Sequence, residues 1–296
     1  MHELWSRRVW RAVLFWLCLG LGSAIPAHST TVTLQDDRGK TLVFEQAPQR
    51  VVSLLPSLTE SVCALGACQR LIGVDRYSNH PVQVRKLPQL GGGMDPNIEA
   101  IVALRPDLVL MATSGRAADR LEALGLRVMA MEPKTHAEVL SGLQRLGRAL
   151  QTGQADQIWR SMHQDIVALA AQMPAAALGK RVYVQVSPAP HAAGEASFIG
   201  ETLGLLGLQN IVPRSMGVFP QLAPEYVVRA DPDIILVAQS QWSALRNRPG
   251  WSAMKAVQRE RVCAFTPEQN DMLARPGPRL VEAARWVLDC MKRLKL

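Results

Sequence analysis

Short runs of aliphatic and β-branched residues alternate along the chain with segments in which apolar positions recur every three or four residues. Between residues 50 and 131 the short runs predict strands, and the longer segments predict helices that end at Gly66 and Gly125. The predicted strands are 50–55, 71–74, 107–111 and 127–131, and the predicted helices are 58–65, 96–104 and 117–124. This alternation is typical of an α/β fold with mainly parallel sheets flanked by helices.

Two other patterns frame this region. The sequence DDRG at 36–39, between the apolar segments 31–34 and 41–44, predicts a β-hairpin. From 152 to 173 the apolar positions keep helical spacing, with neither Gly nor Pro after Gly153, which predicts one helix of roughly 30 Å. Strands resume at 181–186 and include 262–265. We therefore expect an N-terminal lobe over 30–151, a linking helix over 152–174 and a C-terminal lobe over 175–296.

An internal repeat supports two similar lobes. Residues 99–110 and 225–236 align without a gap at an offset of 126, so that Glu99 falls on Glu225 and Asp107 on Asp233. Weaker likenesses join 50–52 to 181–183 and 64–66 to 205–207. A repeat at an offset of about half the mature chain is typical of a duplicated domain, because solenoid units are much shorter. Two facing lobes predict a cleft, and ligands favour the carboxyl ends of parallel strands.

Composition and charge narrow the class of protein. The chain has 296 residues, 48% of them hydrophobic and 20% charged, which is enough to bury a substantial core. Lys and Arg (33) exceed Asp and Glu (25), for a net charge of +8. These basic residues are scattered rather than grouped in runs, so we expect no nucleic-acid partner.

The first residues have the pattern of an export signal. Three arginines within the first eleven residues precede an apolar run over 12–24, which is too short to span a bilayer. Small residues favour cleavage after Ser29 or after Ala27, which gives a signal peptide over 1–29. The paired arginines leave general secretion and twin-arginine export both open. We expect a periplasmic protein that is a monomer when free.

Four cysteines follow the predicted signal, namely Cys63, Cys68, Cys263 and Cys290. An even number in an oxidising compartment predicts disulfides, with three possible connectivities. Cys63 and Cys68 would lie too far apart on a continuous helix, but Gly66 between them can end that helix and allow a bridge. A Cys263–Cys290 bridge is then the complementary pairing, and free buried thiols are the alternative.

Several motifs resemble a known family. Residues 50–60 (RVVSLLPSLTE), 71–81 (LIGVDRYSNHP), 91–93 (GGG) and 97–110 (NIEAIVALRPDLVL) are similar to the extracytoplasmic binding proteins for vitamin B12, ferric siderophores and haem. Those for vitamin B12 are the nearest resemblance. The resemblance implies two lobes held by a rigid helix, with a metal chelate as ligand. It also implies delivery of that chelate to an ABC permease dimer with its ATPase, without catalysis and without a cofactor.

The same resemblance implies roles for particular residues. Glu99 and Glu225 occupy the positions of the two glutamates that dock onto the permease, one from each lobe. Their alternative is to be solvated residues near helix starts. The candidate ligand-binding residues are Tyr77, Gly92, Gly93, His191, Phe219, Asn270, Asp271 and Met272. Relatives carry a tryptophan near the triple glycine, so the first lobe here lacks a bulky side chain at that place. In the second lobe, Phe219 stands where relatives carry another tryptophan.

These departures leave the ligand open. A corrinoid is favoured by the overall likeness. A haem or ferric chelate would use Tyr77 or His191 as an iron ligand, with Arg76 or Arg275 binding carboxylates. A tetrapyrrole metal chelatase is the alternative from another class, although the sequence carries no nucleophile elbow, phosphate loop or zinc-protease motif.

Overall fold

The structure, a computed structural model, describes residues 31–296. The predicted signal peptide and its cleavage sites lie outside the described residues. A hairpin of strands β1 (Val32–Gln35) and β2 (Thr41–Phe44) comes first and is antiparallel, as predicted. Leu34, Leu42 and Phe44 are buried in the core, while Thr33, Gln35, Thr41 and Val43 of the same two strands face solvent. This alternation is what one buried face requires.

The first sheet has four parallel strands with helices between them. Its strand order is β4-β3-β5-β6. The strands are β3 (Val51–Ser53), β4 (Leu71–Val74), β5 (Leu108–Met111) and β6 (Val128–Ala130). The helices are α1 (Pro56–Ala64), α2 (Ile98–Ala103) and α3 (Ala118–Ala123). The strands are almost wholly buried because both faces of the sheet are covered. The hairpin, this sheet and its three helices form the first lobe.

Two antiparallel helices come next, α4 (His136–Leu150) and α5 (Ala155–Ala170). The helix predicted over 152–173 is therefore present but shorter, with 16 residues and a length of about 24 Å. Gln151 (φ 53°) and Gly153 (φ 67°) adopt left-handed conformations, so the chain turns before α5 can begin. At the other end, Pro174 closes the segment after a short irregular turn.

The second lobe repeats the plan of the first. Its parallel strands have the order β10-β9-β7-β8, so in both sheets the first strand of the sheet lies between the second and the third. The strands are β7 (Arg181–Val184), β8 (Gln209–Asn210), β9 (Ile234–Ala238) and β10 (Val262–Phe265). The helices are α6 (Phe198–Leu205), α7 (Pro224–Ala230), α8 (Gln239–Arg246), α9 (Lys255–Gln258), α10 (Pro267–Ala274) and α11 (Leu280–Arg293).

The repeat seen in the sequence is also present in the hydrogen bonds. The Asp107 carboxylate accepts the Arg50 backbone N–H at 2.9 Å, and the Asp233 carboxylate accepts that of Arg181 at 3.0 Å. Both arginines also donate to a backbone carbonyl at the C-terminal end of the helix that leads to this aspartate, α2 in the first lobe at 2.6 Å and α7 in the second at 2.7 Å. The next residue is left-handed in each lobe, at 105 (φ 46°) and 231 (φ 42°). The two lobes therefore share one local design.

The largest cluster of buried apolar residues runs through α4, α5 and α11 and contains residues of both sheets. Two disulfides join pairs within the lobes, Cys63–Cys68 and Cys263–Cys290. Gly66 (φ 78°) turns the chain just after α1, which lets Cys68 return to Cys63. From residue 31 onward, no helix is long and apolar enough to cross a membrane.

Candidate functional site

Loops that leave the carboxyl ends of the first sheet pack closely around Gly93. A Cβ added at Gly93 would lie 3.1 Å from the carbonyl oxygen of Leu54, which follows β3. The Gly93 carbonyl oxygen in turn lies 3.1 Å from where a Cβ of Gly115, after β5, would stand. At buried Gly92 a Cβ would collide with the carboxylate of Asp95. At both candidate glycines, neighbouring atoms therefore leave little room for a side chain.

Tyr77 lies in the loop after β4, and its side chain is 60% exposed. Its backbone N–H donates to Oδ2 of the buried Asp75 at 3.0 Å, and this hydrogen bond fixes the loop to the interior of the first lobe. The Arg76 guanidinium lies 5.7 Å from the centre of the Tyr77 ring and pairs with Asp95. Tyr77 therefore presents an aromatic face and a phenol to solvent beside a cation.

A buried polar network lies under this loop. Burial raises the pKa of Asp75, and hydrogen bonds from Ser78 Oγ and the Tyr77 N–H partly oppose that rise. Thr59 Oγ1 lies 2.8 Å from both Ser53 Oγ and Ser78 Oγ, which links α1 and β3 to the same loop. These bonds hold the backbone of Tyr77 while its side chain stays outside.

In the second lobe, two neighbouring loops carry His191 and Phe219. They are joined by backbone bonds from Ala192 N to Pro220 O and from Leu222 N to Pro190 O, each 2.9 Å. His191 is half-buried, and its Nδ1 lies 3.1 Å from Ser187 Oγ and 3.0 Å from the carbonyl oxygen of residue 189. These contacts leave Nε2 as the ring nitrogen farther from the loop.

Phe219 is half-buried and makes an edge-to-face contact with Phe198, with ring centres 5.9 Å apart. It also packs against the large core cluster. Part of its ring thus supports the second lobe, and the remainder is accessible at the same end of the sheet as His191.

Asn270, Asp271 and Met272, three of the candidate ligand-binding residues, lie in the helix α10. Thr266 and Gln269 form a reciprocal capping box, and Pro267 at the first helical position completes the helix start. Asp271 binds both Asn79 of the first lobe and Arg275, each at 2.8 Å. Met272 packs against the core, and Asn270 is half-buried.

Arg275 joins the two lobes at this point. It donates to Glu60 Oε1 at 2.7 Å, to Asn79 Oδ1 at 2.8 Å and to the carbonyl oxygen of Tyr77 at 3.0 Å. It is only 7% exposed, so its donors are taken by protein groups and do not serve a ligand carboxylate, contrary to the expectation from sequence. Sequence reasoning missed Glu60 and Asn79 altogether, because nothing local to either residue marks its partner.

Burial dominates the environment of Glu60. It raises the pKa of this carboxyl group, while the hydrogen bond and positive charge of Arg275, and the charge of Arg279, oppose the rise. Glu60 Oε2 is buried without a hydrogen-bond partner. The contact between the lobes therefore includes a buried carboxylate that depends on arginines from the other side.

Glu99 and Glu225 stand in the first turns of the equivalent helices α2 and α7. Both are exposed, and Glu99 lies 3.3 Å from the Arg120 guanidinium. A carboxylate in the first turn is favoured by the helix dipole. The two acidic groups thus occupy matching surface positions on the two lobes.

The candidate residues do not form a metal centre of their own. Within residues 31–296, no group of three or more His, Cys, Asp and Glu side chains is arranged to hold a metal ion. Tyr77 and His191 remain single groups on different lobes, each able to contact a ligand that brings its own metal.

Comparison with known proteins matches most of the chain to one family, described as "Periplasmic binding protein", over residues 51–268. An uncharacterised ABC transporter substrate-binding lipoprotein of Bacillus subtilis is 29% identical, aligned over 95% of each protein. A vitamin B12-binding protein of Pectobacterium atrosepticum is 28% identical over 84% of this chain and 90% of that protein.

Solved structures show the same similarity in three dimensions. The periplasmic vitamin B12 binding protein of Vibrio cholerae matches with a TM-score of 0.66 and 28% identity, over 83% of this chain and 97% of that one. A periplasmic heme binding protein from Pseudomonas aeruginosa matches with a TM-score of 0.70 and 26% identity, over 84% and 94%.

Proposed function

Because this chain belongs to the periplasmic binding protein family, we propose that it captures a corrinoid, cobalamin being the first candidate, between its two lobes. It is the substrate-binding component of an ABC importer and not an enzyme. The chelatase alternative raised from the sequence is therefore set aside. The chelate is the cargo of the transporter rather than a cofactor of the protein.

One structural contrast carries the choice of a bulky ligand. The equivalent loops before α2 and α7 present Gly92 and Gly93 on one lobe and Phe219 on the other. A first-lobe loop without side chains at these positions, paired with an aromatic ring on the second lobe, suits a large, partly apolar disc, to which Tyr77 adds an aromatic face with a polar end. The relatives named as vitamin B12-binding proteins support the corrinoid among such ligands.

The second candidate is a haem or ferric siderophore. Two observations favour it, namely the exposed phenol of Tyr77 and the outer nitrogen of His191, which are chemically suited to bind iron. The similarity to a heme binding protein supports the same alternative. Arg76 would then be the arginine beside the ligand, since Arg275 is committed to Glu60.

We further propose that the protein is exported to the periplasm, works as a monomer when free, and docks onto a permease dimer with its ATPase. Glu99 and Glu225 would make that contact, one from each lobe. Their matching positions in α2 and α7 suit a partner with two-fold symmetry, and exposed charges of this kind mainly set orientation and association rate.

Absorption spectroscopy tests the ligand directly. The purified protein would be titrated in turn with cobalamin, haem and a ferric siderophore, whose visible bands are distinct. Saturable one-to-one binding of cobalamin with the highest affinity is expected. Tighter binding of haem or of the siderophore would overturn the corrinoid in favour of the second candidate, and absence of binding for all three would reject a chelate cargo.

Replacing Tyr77 tests its place in the site. Tyr77→Ala should weaken binding of the preferred chelate about tenfold, because one exposed aromatic contact is lost. Val82→Ala is a matched control, since Val82 is also exposed (69%) and follows in the same segment. Unchanged affinity of Tyr77→Ala for every chelate would remove Tyr77 from the site.

A further inference from the structure

Arg275 is the residue through which the second lobe holds the loop that carries Tyr77. It directly follows α10 and has an extended backbone (φ −104°, ψ 111°). Its guanidinium contacts four groups, Glu60, Asn79 and the Tyr77 carbonyl in the first lobe and Asp271 in its own. One side chain thus connects α1, the loop after β4 and α10.

The anchor of this connection is the buried pair with Glu60. The side chain of Glu60 is 2% exposed and that of Arg275 is 9% exposed. A carboxylate at this depth is costly without its cation, so the pair holds the guanidinium in one place. The planar fork of arginine can then direct its remaining N–H groups to two further acceptors at fixed angles.

Those further acceptors belong to the loop of residues 76–79. Arg275 Nη2 donates to the carbonyl oxygen of Tyr77, and Nη1 donates to the side chain of Asn79. The Asn79 amide donates in turn to Asp271. The loop is therefore fixed from the first lobe through Asp75 and from the second lobe through Arg275, while the Tyr77 ring remains exposed between them.

We propose that Arg275 is a positioning residue for ligand binding: fixed by Glu60, it sets the placement of Tyr77 and thereby the affinity of the cleft, without touching the ligand. This inference rests on the proposed function, because it takes Tyr77 to contact the chelate. If Arg275 had a purely structural role, replacing it would change the affinity whether or not Tyr77 is present. A positioning role requires that the change in affinity depend on Tyr77.

Two matched arginine variants test the anchoring before any ligand is added. Arg279 is also 7% exposed and lies four residues later, but it donates mainly to Glu282 of its own lobe, at 2.8 Å and 3.0 Å, with Glu60 3.7 Å away. Hydrogen exchange of the amides at 76–79 should become at least about tenfold faster in Arg275→Gln than in Arg279→Gln. Equal exchange in the two variants would overturn the anchoring.

A double-mutant cycle then tests the route to the ligand, with cobalamin as the probe. Arg275→Gln should raise the dissociation constant about tenfold, the effect expected for losing one charge-assisted hydrogen bond. In the background of Tyr77→Ala the same change should alter affinity less than twofold. A full tenfold loss in that background would show that Arg275 acts independently of Tyr77 and would overturn the proposal.

Asn79→Ala keeps the test decisive if Arg275→Gln does not fold. It removes one acceptor of Arg275 at a half-buried position and leaves the pair with Glu60 in place. A smaller loss of affinity, about threefold, is expected, again only when Tyr77 is present. If wild-type protein binds cobalamin and Asn79→Ala binds it equally well, the positioning role fails and the proposed function stands.

If wild-type protein binds no chelate, the proposed function fails, and the positioning role for ligand binding fails with it. Hydrogen exchange at 76–79 then still shows whether Arg275 anchors this loop.

Discussion

The two lobes share a turn before α2 and α7 but present different side chains after it. In these loops, Gly91 (φ 87°) and Gly217 (φ 90°) stand at the same offset of the repeat and share a positive φ, which glycine adopts without strain. Two residues later, however, the first lobe has Gly93 and the second has Phe219. The duplication thus keeps the turn and changes the side chain that the turn presents.

This difference separates the residues that build a lobe from those that suit its ligand. The turn that the two lobes share precedes α2 and α7, which carry Glu99 and Glu225 in their first turns. The changed position lies on the proposed wall of the cleft. Within one chain, therefore, the proposed docking surface remains symmetric while the proposed cleft becomes asymmetric, which suits a two-fold partner and a cargo without two-fold symmetry.

Charge reversal on both lobes should have the largest effect. Glu99→Lys with Glu225→Lys is expected to abolish uptake, because the two carboxylates that we propose to dock onto the permease would be replaced by ammonium groups of opposite charge. Each single reversal should lower uptake by a similar factor. Cobalamin uptake into vesicles containing the permease and its ATPase measures the effect, and titration of the free protein serves as the control. A parallel loss of ligand affinity would place these carboxylates in the cleft instead.

The two disulfides allow a comparison of stability. Cys263–Cys290 closes a span of 27 residues and Cys63–Cys68 one of 5. Loop entropy predicts that replacing Cys263 and Cys290 with alanine lowers the free energy of unfolding by about 3.5 kcal/mol. Replacing Cys63 and Cys68 should lower it by about 2 kcal/mol. Urea denaturation of the two double variants measures both losses. A larger loss for Cys63–Cys68 would contradict the entropic account.

Removing the Phe219 ring from the second lobe should lower the free energy of unfolding more than adding a methyl group at Gly93 of the first lobe. Phe219→Ala should lower the free energy of unfolding by about 2 kcal/mol, because it removes the contact with Phe198. Gly93→Ala should lower it by about 1 kcal/mol or less, since the Leu54 carbonyl must give way slightly. Denaturation and cobalamin titration measure both changes. Phe219→Leu is the control that retains apolar contact, and it should preserve most of the stability.

A pH-dependent effect is expected at the hairpin of the first lobe. Burial would raise the pKa of Asp36, but hydrogen bonds from the Arg38 side chain and from the backbone of Ala130, Lys40 and Arg38 lower it below the ordinary 3.8. Because the folded pKa is the lower one, this carboxylate stabilises the fold above the ordinary pKa, and that contribution disappears as the pH falls through the folded value.

Asp36→Asn should therefore lower the free energy of unfolding by about 1 to 2 kcal/mol at neutral pH. The difference from wild type should shrink as the pH falls below 3.8. Denaturation at a series of pH values measures it, with exposed Asp119→Asn as the control. A difference that persists unchanged at the lowest pH would show that the carboxylate charge is not the cause.

Much of the fold could be predicted because its signals are local. Strands 71–74 and 262–265 have the predicted bounds, since short apolar runs between polar segments are a local signal of strands. The predicted helix over 152–173 was too long, because Gln151 adopts a left-handed conformation that few non-glycine residues take. Helix α10 was missed although Thr266, Pro267 and Gln269 formed a readable start signal.

The sequence by itself determined the repeated α/β plan, the matching positions of Glu99 and Glu225, and the glycine turns, because each depends on neighbours in the chain or on an alignment of its two halves. Only the tertiary structure decided that Arg275 binds Glu60, a residue 215 positions away, and that Asp271 binds Asn79, 192 positions away. An ion pair of that kind leaves no periodic trace in the chain. It forms only after two sheets have brought their carboxyl ends together, and burial then makes each charge depend on the other.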